Sequence, residues 1–176
     1  MSEIKIVFTG SMGAGKTTAI ETISEIPVIN TDVHATDTAT QARKEKTTVA
    51  MDYGEITLEE GVKLRLYGTP GQQRFDYMWK ILTKGALGLV ILVDNAGSDP
   101  IGDLARYLDN FSEFIKETGA VIGVTRMDIK ADPTLQFYYD YLNERGLQLP
   151  VFPIDARSAD HVVMLIQSLI ASLEFG

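Results

Sequence analysis

Residues 4–18 read IKIVFTGSMGAGKTT. Apart from Lys5, residues 4–9 are β-branched or aromatic, which predicts a buried strand. The residues after it satisfy the spacing G-x-x-x-x-G-K-[ST] through Gly10, Gly15, Lys16 and Thr17, in the strand, loop and helix setting that this spacing requires. The physics is local. Glycines let backbone N–H groups converge on phosphate oxygens, and a helix starting at the end of the loop adds a partial positive charge. Lys16 spans the β and γ phosphates and Thr17 offers a hydroxyl to Mg²⁺, while Gly13, Ala14 and Thr18 complete the cradle. The stretch implies a nucleotide bound together with Mg²⁺.

Outward from this loop, apolar runs of strand length alternate with segments of helical period, the pattern of an α/β fold around a mostly parallel sheet. Six strands are expected, at 4–9, 48–56, 62–67, 87–94, 120–125 and 151–155. Those near residues 6, 90 and 122 are apolar almost throughout, as central strands covered on both faces would be. The pair at 48–56 and 62–67 alternates polar with apolar residues around TLEEG and predicts one antiparallel hairpin toward the sheet edge. Leu104, Tyr107, Leu108, Phe111, Phe114 and Ile115 recur at helical spacing after Asp99-Pro100, a cap and a first-turn proline. Asp132-Pro133 predicts the same for a helix carrying Leu135, Tyr138, Tyr139 and Leu142. Ser158 caps a last helix with Val162, Ile166, Leu169, Ile170 and Leu173 on one face. These stripes are read as core. Residues 25–47 show no convincing period, and a connection of that length in a compact domain marks a functional or mobile loop.

At 176 residues the chain fits one domain spanning 1–176, with 45% hydrophobic and 23% charged residues as in ordinary globular proteins. Its net charge of −8 repels phosphate backbones and anionic lipid, so nucleic acid is not expected as a partner. There is no cysteine, which excludes disulfides, thiolate metal sites, palmitoylation and prenylation. Ser2 stands where myristoylation needs glycine, and no stretch has the length of a membrane span. A cytoplasmic protein without a lipid anchor of its own is expected. The two histidines, His34 and His161, are too few and too far apart in sequence for a metal cluster.

Behind the phosphate loop, TTVAMD at 47–52, TPGQ at 69–72, TRMD at 125–128 and DAR at 155–157 follow in order. Together they resemble the Ras-like small GTPases over essentially the whole chain. Within that superfamily the chain is most similar to bacterial members that partner small roadblock-fold proteins, including the conservon and gliding-motility types. The resemblance implies a three-layer P-loop fold and a switch driven by GTP and GDP with Mg²⁺, acting through protein regulators and effectors. It makes Thr48 the first-switch threonine that meets Mg²⁺ and the γ phosphate. Gly71 offers its N–H to that phosphate and Gln72 orients the attacking water, so Gln72, Lys16 and Thr48 are the expected catalytic residues. Thr125, Arg126, Asp128, Ala156 and Arg157 hold the base, with Asp128 accepting from the guanine ring donors. The aromatic and apolar residues Phe75, Tyr77, Met78 and Trp79 fit a partner surface.

Four positions depart from the family pattern. Gly68 replaces the second-switch aspartate that holds Mg²⁺ through water, which leaves water alone or another acid, with Asp32, Asp37 and Asp52 as candidates. Asp94, which also closes an apolar strand, is read as structural. Met12 crowds the space of Gln72 and of an incoming arginine, implying slow intrinsic turnover. Thr125 in place of asparagine weakens a tether between loops, and Asp155 in place of serine sets a second carboxylate near Asp128. Arg43 could act as an arginine finger in cis, although a solvated charge is the favoured reading of RKEK. Two other functions stay open. One is a nucleotide-binding scaffold with negligible hydrolysis; the other is a small P-loop metabolite kinase, which would want an arginine-rich lid that the sequence lacks.

Overall fold

The largely apolar run after Glu3 forms the strand it predicts, β1 (Glu3–Gly10), with Ile6, Val7 and Phe8 fully buried. The computed structural model describes residues 3–34, 48–69 and 82–175. Following β1 are α1 (Lys16–Ile23), β2 (Ile29–His34), β3 (Thr48–Thr57), a 3-10 turn at Glu59–Gly61 and β4 (Lys63–Gly68). The chain continues through β5 (Gly88–Asp94), α2 (Pro100–Asn110), α3 (Ser112–Glu117) and β6 (Ala120–Thr125), then α4 (Leu135–Glu144), β7 (Val151–Ile154) and α5 (Ala159–Phe175). The strands lie in the order β2-β3-β4-β1-β5-β6-β7. β1 pairs in parallel with β4 and β5, and β5-β6 and β6-β7 are also parallel. β2-β3 and β3-β4 are antiparallel.

The mostly parallel α/β sheet and its β3-β4 hairpin are as the sequence implies. The seventh strand, β2, lies in the stretch read as aperiodic and extends the hairpin outward to form the sheet edge. Helices cover both faces, giving three layers. On one face α1 and α5 enclose Phe8, Ile20, Leu66, Val90, Leu165 and Leu169. On the other, α2, α3 and α4 enclose Val7, Ile91, Leu108, Ile122, Tyr138 and Leu142.

The helix ends differ in detail from expectation. Asp99 caps α2 by accepting from the Gly102 N–H at 3.0 Å, with Pro100 in the first turn. The expected long helix through Ile115 breaks at Phe111 into α2 and α3. α4 is capped by Thr134, whose hydroxyl accepts from the Phe137 N–H at 3.2 Å, so Asp132-Pro133 lies in the preceding loop. Ser158 accepts from the His161 N–H at 3.3 Å and caps α5. Among the described residues, no helix is long and apolar enough to cross a membrane.

Candidate nucleotide site

The carboxyl ends of β1, β5, β6 and β7 bring together the phosphate loop and the loops that follow the other three strands. In the phosphate loop Gly10, Gly13 and Gly15 have φ of 149°, 81° and 103°. A side chain at Gly10 would also collide with the Leu92 carbonyl oxygen of β5, so only glycine lets the loop leave the sheet here. Gly15 is the residue before α1, so the loop delivers its backbone onto a helix N-terminus.

Lys16 folds back over this loop. Its ammonium donates to the carbonyls of Gly10 and Ser11, the latter at 2.9 Å. The residue is only 8% exposed. Burial pulls its pKa down to about 8, the charge of Arg106 adds to the fall, and Asp52 opposes it. A lysine held at the mouth of a phosphate cradle under these conditions gains most when an anion joins it.

Of the candidate acids, Asp52 stands beside the position where Gly68 lacks one. The two residues are directly opposite across the β3-β4 ladder. A Cβ built on Gly68 would lie 3.3 Å from the Asp52 Cβ, so the bare glycine leaves the space into which that side chain leans. The Thr17 hydroxyl donates to the Asp52 carboxylate. One hydroxyl and one carboxylate form an all-oxygen donor set of the kind Mg²⁺ uses, completed elsewhere by waters and phosphates. Among the described residues no group of three or more histidine or acidic side chains offers a rival metal site. Of the other candidate acids, Asp32 lies on β2 and Asp37 lies outside the described residues.

A cleft of about 730 Å³ opens beside the loop, lined by Ala14, Gly15, Thr18, Thr125, Asp128, Ala156 and Arg157, among others. The tether expected to be weak is present: the Thr125 hydroxyl lies 3.2 Å from both the Ala14 and Val93 carbonyl oxygens, linking β6 to the phosphate loop and β5. Arg126 has a left-handed backbone, φ 61°, and its guanidinium pairs with Asp94 at 2.6 Å. Asp94 also accepts from the Ala96 N–H, so it orders the loop that carries Arg126, in line with a structural role. Asp155 is paired within its own loop. Arg157 grips it through Nε and Nη2, each at 3.0 Å, and through its backbone N–H at 2.9 Å. These bonds hold the Asp155 carboxyl down at about 2, and the same arginine feels the charge of Asp128.

The sequence reading missed the support beneath this cleft. Asn95, fully buried, donates to the carbonyls of Lys130 and Pro133 at 2.8 and 3.1 Å and accepts from the Tyr138 hydroxyl at 2.6 Å. Its backbone N–H donates to the Thr125 carbonyl at 2.9 Å. The loop bearing Asp128 is therefore pinned to β5 and to α4. The Tyr138 ring sits in the apolar stripe, as expected, but its hydroxyl belongs to this network. His161, also unassigned, accepts the Asp155 N–H on Nδ1 at 2.9 Å and lines the cleft.

Thr48 opens β3 opposite His34, four residues and roughly 13 Å along the strand from Asp52. In this arrangement the backbone carries it away from Thr17. Gly71, Gln72, Arg43 and the aromatic run from Phe75 to Trp79 lie outside the described residues. Met12 stands at the loop mouth, 69% exposed.

A family model described as "Conserved hypothetical ATP binding protein" matches residues 27–149, more than half of the chain. The chain belongs to this family. The family match starts after the phosphate loop and takes in the Thr125–Asp128 segment. Among curated relatives, an uncharacterized protein of Methanocaldococcus jannaschii is 32% identical over 92 residues, 52% of this chain and 51% of the relative. Ras-related protein Rab-12 of Homo sapiens is 23% identical over 134 residues, 74% of this chain and 50% of the relative. Ras-related protein Rab-10 of Caenorhabditis elegans is 24% identical over 116 residues, 64% of this chain and 51% of the relative. The chain spans about half the length of the curated relatives it matches. These likenesses support a Ras-like relationship for this family member, and nucleotide binding with it.

Proposed function

We propose that the protein is a guanine-nucleotide switch that binds GTP and GDP with Mg²⁺ and hydrolyses GTP slowly when alone. The observation that carries this reading is continuity: Ala14, Gly15 and Thr18 of the phosphate loop and helix start share one nucleotide-sized cleft with Asp128 and Arg157. A carboxylate at Asp128 matches the two adjacent N–H donors on the guanine edge and repels the ring acceptor that adenine presents there. Lys16 and the loop N–H groups take the phosphates, while Thr17 and Asp52 would hold Mg²⁺. When bound, Mg²⁺ neutralises charge on the β and γ oxygens.

In this reading Gly71 offers its N–H to the γ phosphate, Gln72 orients the attacking water, and Thr48 joins them by leaving its place opposite His34. GTP and water become GDP and phosphate, and partners read the change. Met12, exposed at the loop mouth, crowds the space of Gln72 and of an arginine supplied from outside, which keeps unaided turnover slow. Protein regulators and effectors follow from the switch. From the motifs that resemble the bacterial conservon and gliding-motility types, we infer a roadblock-fold partner and a cytoplasmic setting.

The family description favours a second reading, an adenine nucleotide in the same cleft. A single-turnover assay with γ-labelled GTP and ATP separates the functions. The switch predicts slow phosphate release from GTP that a partner accelerates. Binding without release, even with partners present, supports the nucleotide scaffold, and transfer of label to a metabolite supports a kinase.

A further inference from the structure

Arg106, on α2, reaches across to the phosphate loop. Its Nη2 lies 3.4 Å from the Ser11 hydroxyl and 3.3 Å from the hydroxyl of Tyr107. Its acidic neighbour, Asp103, pairs with it loosely at 3.6 Å, and the guanidinium lies 5.0 Å from the centre of the Tyr107 ring. Its Nε is buried and, among the described residues, has no hydrogen-bond partner. A buried guanidinium donor without an acceptor is costly and uncommon in a settled interior.

The loop residue that Arg106 touches is also the one Lys16 uses. Lys16 donates to the Ser11 carbonyl while Arg106 addresses the Ser11 hydroxyl, so two cations converge on one residue of the loop. Like charges disfavour each other, and the charge of Arg106 works against the Lys16 ammonium. The arrangement becomes favourable once an anion of high charge lies between or beside them. Lys16 marks where that anion sits, because the lysine of such a loop serves the β and γ phosphates. Its ammonium rests at the Gly10 and Ser11 end, which is therefore the end nearest the terminal phosphate.

We propose that Arg106 is a specificity-determining residue for the terminal phosphate, placing a second positive charge at the Ser11 end of the loop so that a triphosphate binds in preference to a diphosphate. The inference rests on the nucleotide-binding reading above and adds to it a residue from a helix outside the phosphate loop and both switch segments. Arginine suits the task because its charge persists at any working pH and its planar fork offers several donors to a phosphate at once.

The test compares dissociation constants for GDP and its non-hydrolysable triphosphate analogue GppNHp, with ADP and AppNHp in parallel, all with Mg²⁺. Wild type, Arg106→Lys and Arg106→Gln are measured, with thermal melts as a check on folding. Arg106→Gln should lose about tenfold to a hundredfold in triphosphate affinity, the range of a charged hydrogen bond, and change diphosphate affinity less than about twofold. Arg106→Lys should recover much of that loss, since it restores the charge. Equal weakening toward both nucleotides, or no weakening toward either, overturns this inference alone. A wild-type protein that binds none of the four nucleotides overturns the nucleotide reading and this inference together.

Discussion

Lys16 and Asp52 define the phosphate end of the site residue by residue. In the free protein Lys16 titrates near 8, chiefly because it is buried. Bound phosphate favours its charged form and raises that value, so binding is strongest below about pH 8 and weakens as pH rises through it. Nucleotide titrations at pH 7 and pH 9 should show weaker binding at the higher pH, by up to about tenfold, the most that one pH unit above the free value allows. Lys16→Ala should bind weakly and lose this slope. Asp52 acts differently, since its role is tied to the metal. Asp52→Asn should lower affinity in Mg²⁺ about tenfold, the scale of a lost supporting ligand, while affinity measured in EDTA stays unchanged. Gly68→Asp alone should not help, because the new side chain meets Asp52. Combined with Asp52→Gly, it should restore the Mg²⁺ dependence. A sequence cannot display this compensation, because Asp52 and Gly68 are sixteen residues apart and meet only through ladder register.

At the scale of elements, the loop with Asp128 depends on a buried polar network rather than on packing alone. Tyr138→Phe removes the donor to Asn95 and leaves a buried acceptor unpaired. Chemical denaturation should report a loss of about 1–3 kcal/mol, and nucleotide affinity should fall as the base loop loosens. The elements themselves were unevenly legible. β1, β5 and β6 are apolar along nearly their whole length and were placed to within a residue or two. β2 was not, because Asn30, Thr31 and Asp32 give it no apolar run and read as loop. The break at Phe111 is invisible to periodicity, since α2 and α3 press one continuous stripe against the same face. Thr134 and Asp132 are both plausible caps by residue type, and only the observed Phe137 N–H bond distinguishes them.

For the whole molecule, the sheet carries two apolar layers and gathers the loops at the carboxyl ends of its parallel strands at one edge of the domain. The phosphate loop and the Asp128 loop come from strands far apart in sequence. β5 separates β1 from β6, and Thr125 spans the gap to Ala14. The motif spacing made the phosphate end legible at once, because its chemistry is carried by consecutive residues. Its counterpart at the base end was legible only through resemblance, since Asp128, Arg157 and their supports converge from separate loops. We propose that this assembled cleft selects guanine. The most direct measurement is chromatography of the nucleotide released when the purified protein is denatured. GDP or GTP should be recovered in near-stoichiometric amount, and recovery of ADP or ATP in their place would overturn selection of guanine.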